Sequence, residues 1–549
     1  MRYQSKIVVL VSSLLVVCFA EHELKRLPNG FAAQVNNEKI TYVLTDYELQ
    51  DITINGQTFK KPIIPFGGLS AEEGDPVLPT VTTFYQVAAN KSYSIEVNIQ
   101  SSEFVENIDI APHQTWDPVI DEITLPFKRN IDLYTSDEPY PQKQASISQT
   151  IVFRDLPVVK VVFTPFKYFP LSRQLEVITA AEIQLVEAGE REPIQTPVRR
   201  SRVFEPLYEA LVVNYSRSTN DEDYQKPSIL YILPNNSSNL MSNLDILFDW
   251  RHKSGYVVNY ASTSTTGTST SSIKNYISNA YSNWTDPPEY VALVGDANGS
   301  YSIPTYFENY SSYNGEGDHP YSQLVGSDIL PEVILGRLSF SSTTELATII
   351  NKTVQYETNP YVSQNWFHSA SMVGDPSTSG ISTIITCENI KEMMEFHGYD
   401  DVRTIYNSPF PSQMVSDLNA GLTFFNYRGY WGVSGFGNGN INSLSNGFKL
   451  PVATVITCGT GSFASGTSIA EAFVRAGTPT QPKGAVASVG TATLGTHTMF
   501  NNVVAMGFYY GIFTDGMETA GSALVRGKLN LYLNSVSYTH LTLPTILLV

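Results

Sequence analysis

Val452-Ala453-Thr454-Val455-Ile456-Thr457-Cys458-Gly459-Thr460-Gly461 decides how this chain folds. Val452–Thr457 is β-branched and uncharged, which predicts a strand buried on both faces. The small residues after it end the strand, and Ile469–Ala476 then has apolar residues at helical spacing. A buried strand feeding a helix is one unit of an α/β fold.

Working outward, the same alternation recurs. Strands are predicted at Ser228–Leu233, Tyr256–Tyr260, Tyr290–Val294, Ser369–Gly374, Val402–Tyr406, Leu422–Tyr427 and Ala485–Gly490. Helices are predicted at Leu240–Lys253, Ser271–Trp284, Thr343–Tyr356, Ile381–His397, Gln413–Ala420 and Met499–Ile512. This pattern specifies α/β architecture: a mostly parallel sheet with helices on both faces. Such sheets carry their chemistry at the carboxyl ends of the strands.

Upstream of Pro227 the texture differs. Short alternating runs at Ile40–Leu44, Thr82–Val87, Ser92–Ile99, Ser148–Phe153, Val158–Phe163 and Glu176–Val186 are separated by turn residues. They predict an all-β sandwich. The chain therefore divides into a leader at 1–20, a β-rich domain at 21–202, a linker at 203–226 and an α/β domain at 227–536. The leader has Arg2 and Lys6 before an apolar stretch, as a secretory signal does. The basic cluster Arg199-Arg200-Ser201-Arg202 reads as an exposed processing region. Residues 537–549 read as a sequencing artefact, foreign to the fold.

Of 549 residues, Asp and Glu supply 52 and Lys and Arg 34, a net charge of −18. Such an acidic chain repels phosphate backbones, which excludes general nucleic-acid binding. No apolar run in the mature chain reaches transmembrane length. There are 3 cysteines, and Cys18 lies in the leader, so no disulfide framework is available. Cys387 falls inside a helix and reads as core. No zinc spacing, phosphate loop or serine-hydrolase elbow is present.

Four strand ends can hold chemistry: Val294-Gly295-Asp296 with its loop to Asp318-His319, Asn426–Gly432, Thr457–Gly461 and Gly495–Thr498. At the third, a β-branched strand delivers the thiol of Cys458 into the crevice, where backbone N–H groups can face an oxyanion. The residues alone leave two readings of Cys458, nucleophile or inert buried thiol.

Tyr290–Asp296, Asp318–Tyr321, Val325–Asp328, Val333–Arg337, Asn426–Gly429, Leu450–Cys458 and Ala470–Gly477 together resemble the gingipain-type cysteine peptidases of family C25, which have a caspase-like fold. Gly74–Pro79 and Phe204–Tyr215 are similar to that family's β-rich propeptide. The resemblance implies a secreted or cell-surface cysteine endopeptidase of bacterial type, made as a zymogen whose propeptide covers the site. Its partners would be peptide or protein substrates and its own propeptide. A missing C-terminal domain would engage an outer-membrane secretion machinery. No cofactor is required.

The family nucleophile falls on Cys458, with Gly429, Tyr430 and Gly459 about the oxyanion. The family histidine position, in Asn426-Tyr427-Arg428-Gly429-Tyr430, is Tyr430, and tyrosine is a poor base at neutral pH. His497 and His319 are the candidate substitutes; the alternative is a catalytically inactive surface or binding protein. Asp318 matches the position that selects a basic P1 side chain. Glu308, Glu316 and Asp318 offer oxygen ligands for a structural calcium, and Arg428 is a candidate to stabilise a thiolate.

Overall fold

The computed structural model describes residues 24–34, 38–69, 71–114, 126–197, 199–310, 313–359, 361–492, 496–534 and 545–548. The expected leader at 1–20 lies outside them.

The described N-terminal domain is built from two larger antiparallel sheets and the hairpin Glu48–Ile54/Gln57–Ile63. One runs through Leu24–Arg26, Phe31–Gln34, Lys39–Val43, Gln174–Glu190 and Phe166–Phe169, with Lys91–Val105 paired along the same long strand. The other contains Ile151–Phe153, Leu156–Phe163, Pro79–Gln86, Gly68–Leu69 and Ala145–Ile147. Ile40, Tyr42 and Val177 of the first meet Val81, Tyr85, Val159 and Val161 of the second in one core. Strand Pro79–Gln86 is buried on both faces, because Phe84 on its reverse side packs into the second domain. The predicted alternation missed this second apolar face.

In the second domain, strands β1 (Ser228–Leu233), β2 (Val257–Ser262), β3 (Tyr290–Val294), β4 (Ile334–Leu338), β5 (Ser369–Gly374), β6 (Asp401–Ile405), β7 (Phe424–Arg428), β8 (Val452–Val455), β9 (Ala487–Thr491) and β10 (Thr545–Leu548) form one sheet. The order is β2-β1-β3-β4-β10-β9-β8-β7-β5-β6. All pairs are parallel except β9 with β10. β10 falls within the stretch that reads as foreign to the fold, yet it fills the gap between β4 and β9.

The longer helices are α1 (Met241–Lys253), α2 (Thr270–Asn283), α3 (Thr343–Thr358), α4 (Ser382–Phe396), α5 (Phe410–Ala420), α6 (Ile469–Arg475), α7 (Thr498–Phe513) and α8 (Ala520–Asn534). α2, α4, α7 and α8 cover one face of the sheet; α1, α3, α5 and α6 cover the other. Side chains alternate accordingly: Phe425 and Tyr427 pack toward α5 and α6, while Asn426 and Arg428 face α4 and α7. Several starts are set by capping. Ser269 and Ser468 form reciprocal capping boxes with Ser272 and Glu471, which satisfies backbone donors otherwise left bare.

The expected exposed linker is instead folded. Phe204, Leu207 and Tyr208 are buried, and helix Glu205–Leu211 packs between the domains. Within the basic cluster, Ser201 is buried and donates to Glu289 at 2.5 Å. Arg202 and Arg217 keep about half of their side chains exposed. The reason is apolar content: Phe204, Leu207 and Leu211 bury surface worth about 2 kcal/mol each.

The two domains share one core, in which Phe84, Phe153 and Val158 meet Leu524, Leu529 and Leu531 of α8. Phe66 packs edge-on to Tyr510, and Lys160 lies 4.1 Å from the centre of the Tyr532 ring. Among the described residues, these contacts lie on the α7–α8 face and at the amino ends of the strands. Trp431, beside the expected site, is 67% exposed. The interdomain contacts named above do not reach that segment.

Candidate active site

Cys458 lies just past β8, at the carboxyl edge of the sheet, and is nearly buried. Its backbone bridges to Trp431, and Gly432 N donates to Cys458 O at 2.9 Å. The segment after β7 is thereby laid along the main chain of Cys458. Cys458 Sγ sits 3.2 Å from Thr496 O and 3.1 Å from Thr496 Oγ1. Asn501 Nδ2 donates to that same hydroxyl at 2.9 Å, leaving its proton available to sulfur.

Gly459 holds φ at +75°, a left-handed turn that a side chain would strain. No acceptor for its N–H is found among the described residues, so this donor is available to an oxyanion. Gly429 is needed for space: a Cβ there would come within 2.6 Å of the Tyr427 hydroxyl. Tyr430 follows it and is 37% exposed.

The loop after Cys458 is anchored from below. Arg475 Nη2 donates to Asp296 at 2.8 Å, and to Glu471 and Ser339 Oγ at 2.6 Å each. This buried network ties the start of α6 to the ends of β3 and β4. Ala464 N donates to Glu316 at 2.8 Å, and Asn298 donates to Ala464 O at 3.1 Å.

Among the described residues, no hydrogen bond joins either candidate histidine to the thiol. His497 caps α7, and its Nδ1 accepts the Met499 N–H at 3.1 Å. With Nδ1 committed as acceptor, the neutral ring carries its proton on Nε2 and has no lone pair there for the thiol proton. His319 bonds through Nε2 to Ile329 O at 3.1 Å and lies 3.4 Å from Ser322 Oγ. It lines a small cavity with Val333, Leu335, Leu524 and Lys528 on the α8 side. Burial, then the Lys528 ammonium, pushes its imidazole down to about 3.

That depression carries a sign. The unfolded chain binds a proton at this ring below about 6.5, and the folded chain does not. His319 thus contributes stability that is present above pH 6.5 and lost as pH falls toward 3. His319→Gln is expected to flatten the loss of thermal stability between pH 6.5 and 4, read by circular dichroism. An unchanged slope overturns this assignment.

Asp318 is not a vacant specificity carboxylate. Arg337, fully buried, holds it through Nε to Oδ2 at 2.7 Å and Nη2 to Oδ1 at 2.8 Å. Thr305 adds a third bond to Oδ1 at 2.8 Å. A substrate cation would have to compete with an internal guanidinium already in bidentate geometry. Of the three expected calcium ligands, Asp318 is held by Arg337 and Glu316 accepts from Ala464 N. Among the described residues, no group of three or more His, Cys, Asp or Glu could hold a metal.

Arg428 is fully buried on the α7 side, donating to Asn502 Oδ1 at 2.9 Å and Thr498 O at 3.3 Å. Burial lowers its guanidinium to about 10, offset by the nearby thiols of Cys387 and Cys458. Cys387 is core: burial pushes its thiol up to about 12. Sequence reasoning placed Thr496 at a strand end but gave it no role. Asn501 and Asn502 also went unassigned. Their signal was two adjacent amides opening an otherwise apolar helix.

A sequence model described as Peptidase family C25 matches residues 222–547, and one described as Propeptide_C25 matches residues 22–220. Gingipain R2 of Porphyromonas gingivalis is 26% identical over 486 residues, which is 84% of this chain and 64% of that protein. Gingipain R1 of the same organism is 26% identical over 513 residues, 88% of this chain and 50% of that protein. Lys-gingipain W83 is 24% identical over 536 residues, 89% and 30% respectively. The chain thus spans less than two thirds of the length of these relatives. The crystal structure of the Arg-specific cysteine proteinase gingipain R aligns with a TM-score of 0.52 at 22% identity, over 61% of this chain and 78% of that one. The complex of Porphyromonas gingivalis RgpB pro- and mature domains also gives 0.52 at 22%, over 58% and 78%. At this identity the two structures speak for the fold.

Proposed function

Because the chain belongs to peptidase family C25 and carries that family's propeptide, we propose that it is a secreted cysteine endopeptidase made as a zymogen, with Cys458 as nucleophile. The observation that carries this is the placement of the thiol. It stands at the carboxyl edge of the sheet, beside the exposed Trp431, with the Gly459 N–H next to it.

The chemistry follows from that geometry. The thiol gives up its proton to solvent, and sulfur attacks the scissile carbonyl as the π pair moves to oxygen. The Gly459 N–H faces the oxygen that gains charge. The C–N bond then breaks and the leaving nitrogen takes a proton from solvent. Water attacks the thioester, the S–C bond breaks, and the acid product leaves with the thiol restored. Cleavage after Arg or Lys is part of the proposal, from the names of the relatives and from an acidic chain that attracts cations.

A second reading has a specific observation behind it. Tyr430 occupies the family histidine position, and both candidate histidines are engaged elsewhere. A C25 protein in this state would bind peptides without cutting them.

The test uses the full chain without its leader, cut in the linker with trace trypsin and freed of trypsin. It is assayed on a peptide library varied at P1, before and after alkylation by iodoacetamide. Cleavage after basic residues, abolished when Cys458 alone is alkylated, is the expected result. Absence of cleavage after verified loss of the propeptide, or cleavage indifferent to alkylation, overturns the peptidase in favour of the binding protein.

A further inference from the structure

The tip of hairpin Ile151–Phe153/Leu156–Phe163 is Arg154-Asp155, and Arg154 leaves the propeptide to enter the second domain. Its side chain is fully buried. Nη1 donates to Pro288 O at 3.0 Å and to Glu332 O. Nη2 donates to Gln225 Oε1 at 3.0 Å and reaches Pro287 O at 3.4 Å. The guanidinium lies 5.1 Å from the centre of the Phe204 ring and 5.9 Å from that of Tyr281. The Tyr281 hydroxyl donates to Arg154 O at 2.6 Å and fixes the backbone from which the side chain departs.

These acceptors come from separate parts of the sheet. Gln225 precedes β1, Pro287 and Pro288 precede β3, and Glu332 precedes β4. All are at the amino ends of the strands, the edge opposite Cys458. Buried arginines ordinarily pair with carboxylates. Here two of the three near acids are turned away. Glu289 takes bonds from Ser201 Oγ and Ser228 N, and Glu332 Oε2 from Leu324 N and Val325 N. Asp155 accepts the Tyr208 hydroxyl at 2.7 Å and stands 3.8 Å from Arg154 Nε. Burial raises all three carboxyls above their ordinary range. Four neutral oxygens and an aromatic face thus meet a planar fork, a match that guanidinium satisfies and ammonium does not. The hairpin also holds Arg154 at φ +53°, a conformation that costs a non-glycine residue about 1 kcal/mol and persists only where its surroundings enforce it.

We propose that Gln225, Pro287, Pro288, Glu332 and Tyr281 form a guanidinium-binding site at the amino edge of the catalytic sheet, and that Arg154 of the propeptide is its resident ligand. The propeptide's grip on the enzyme is centred there, remote from the nucleophile. Once the propeptide departs, the site is open to an arginine side chain carried by another hairpin or extended peptide.

The test is chemical rescue in the full chain bearing Cys458→Ala, so that self-cleavage cannot intrude and the result is independent of the peptidase proposal. Arg154→Gly suits the left-handed backbone and removes a propylguanidinium-sized group. It is expected to lower Tm by about 5 °C or more. Propylguanidinium should restore Tm saturably, with propylammonium at equal concentration giving no such recovery and Arg154-containing protein showing none with either. Equal rescue by both cations, no rescue of a folded variant, or an unchanged Tm overturns the site. If Arg154→Gly does not fold, Arg154→Lys decides. A lowered Tm supports recognition of the fork, and a Tm equal to that with Arg154 overturns it.

Discussion

Tyr430→His is expected to raise peptide hydrolysis by the linker-cut chain by about 10²- to 10⁴-fold in kcat/KM, the usual contribution of a positioned general acid–base. In the proposed reading, Tyr430 stands where the family carries its histidine. The next residue, Trp431, is bridged to Cys458 by the backbone, so the segment already lies along the nucleophile. Position 430 is more than a third exposed, and the exchange should cost little stability. Imidazole would supply what the geometry lacks: a group that takes the thiol proton and returns it to the leaving nitrogen. Tyr430→His combined with Cys458→Ala should show none of the gain. A folded Tyr430→His chain with unchanged kcat/KM would mean that position 430 does not address the thiol.

Removing either partner of the Asp318–Arg337 pair should be the most destabilising polar substitution in the second domain. Arg337 also donates to Gly295 O at 3.0 Å and Ile303 O at 2.9 Å, and lies 5.1 Å from the centre of the Phe463 ring. Asp318→Ala would leave a fully buried guanidinium without its counter-ion, at a cost of about 3–5 kcal/mol. Arg337→Met should cost a similar amount. The pair Asp318→Ala with Arg337→Met should cost clearly less than the sum, because neither charge is then stranded. Urea denaturation of the four chains measures this. P1 preference should not change in any folded Asp318 variant. A loss of basic P1 cleavage with full stability would restore Asp318 to the specificity pocket.

The strand at Val452–Thr457, the alternation around it and the change of texture near Pro227 were legible because burial leaves a periodic trace. β-branched runs and helical spacing are local, and local pattern is what a linear chain displays. Cys458 was legible for the same reason, as a lone thiol between a strand and glycine. α8 escaped because Arg526, Gly527 and Lys528 interrupt its apolar spacing. The fold of the linker escaped because its basic neighbours drew attention from Phe204, Leu207 and Leu211.

What each polar group does was not legible. Asp318 reads as free until Arg337, on another element, is seen to claim both of its oxygens. His497 reads as a base until Met499 N–H occupies its Nδ1. Arg154 has no role in the linear sequence; only in the fold do the carbonyls of three distant segments close round its fork. The sequence by itself determined the class of sheet and the family and singled out Cys458, because these rest on periodicity and on contiguous motifs. The tertiary structure alone decided which acids are already paired, which histidines are already bonded and where the propeptide grips. Those outcomes depend on partners tens to hundreds of residues apart, and hydrogen bonds and ion pairs act only over a few ångströms of space.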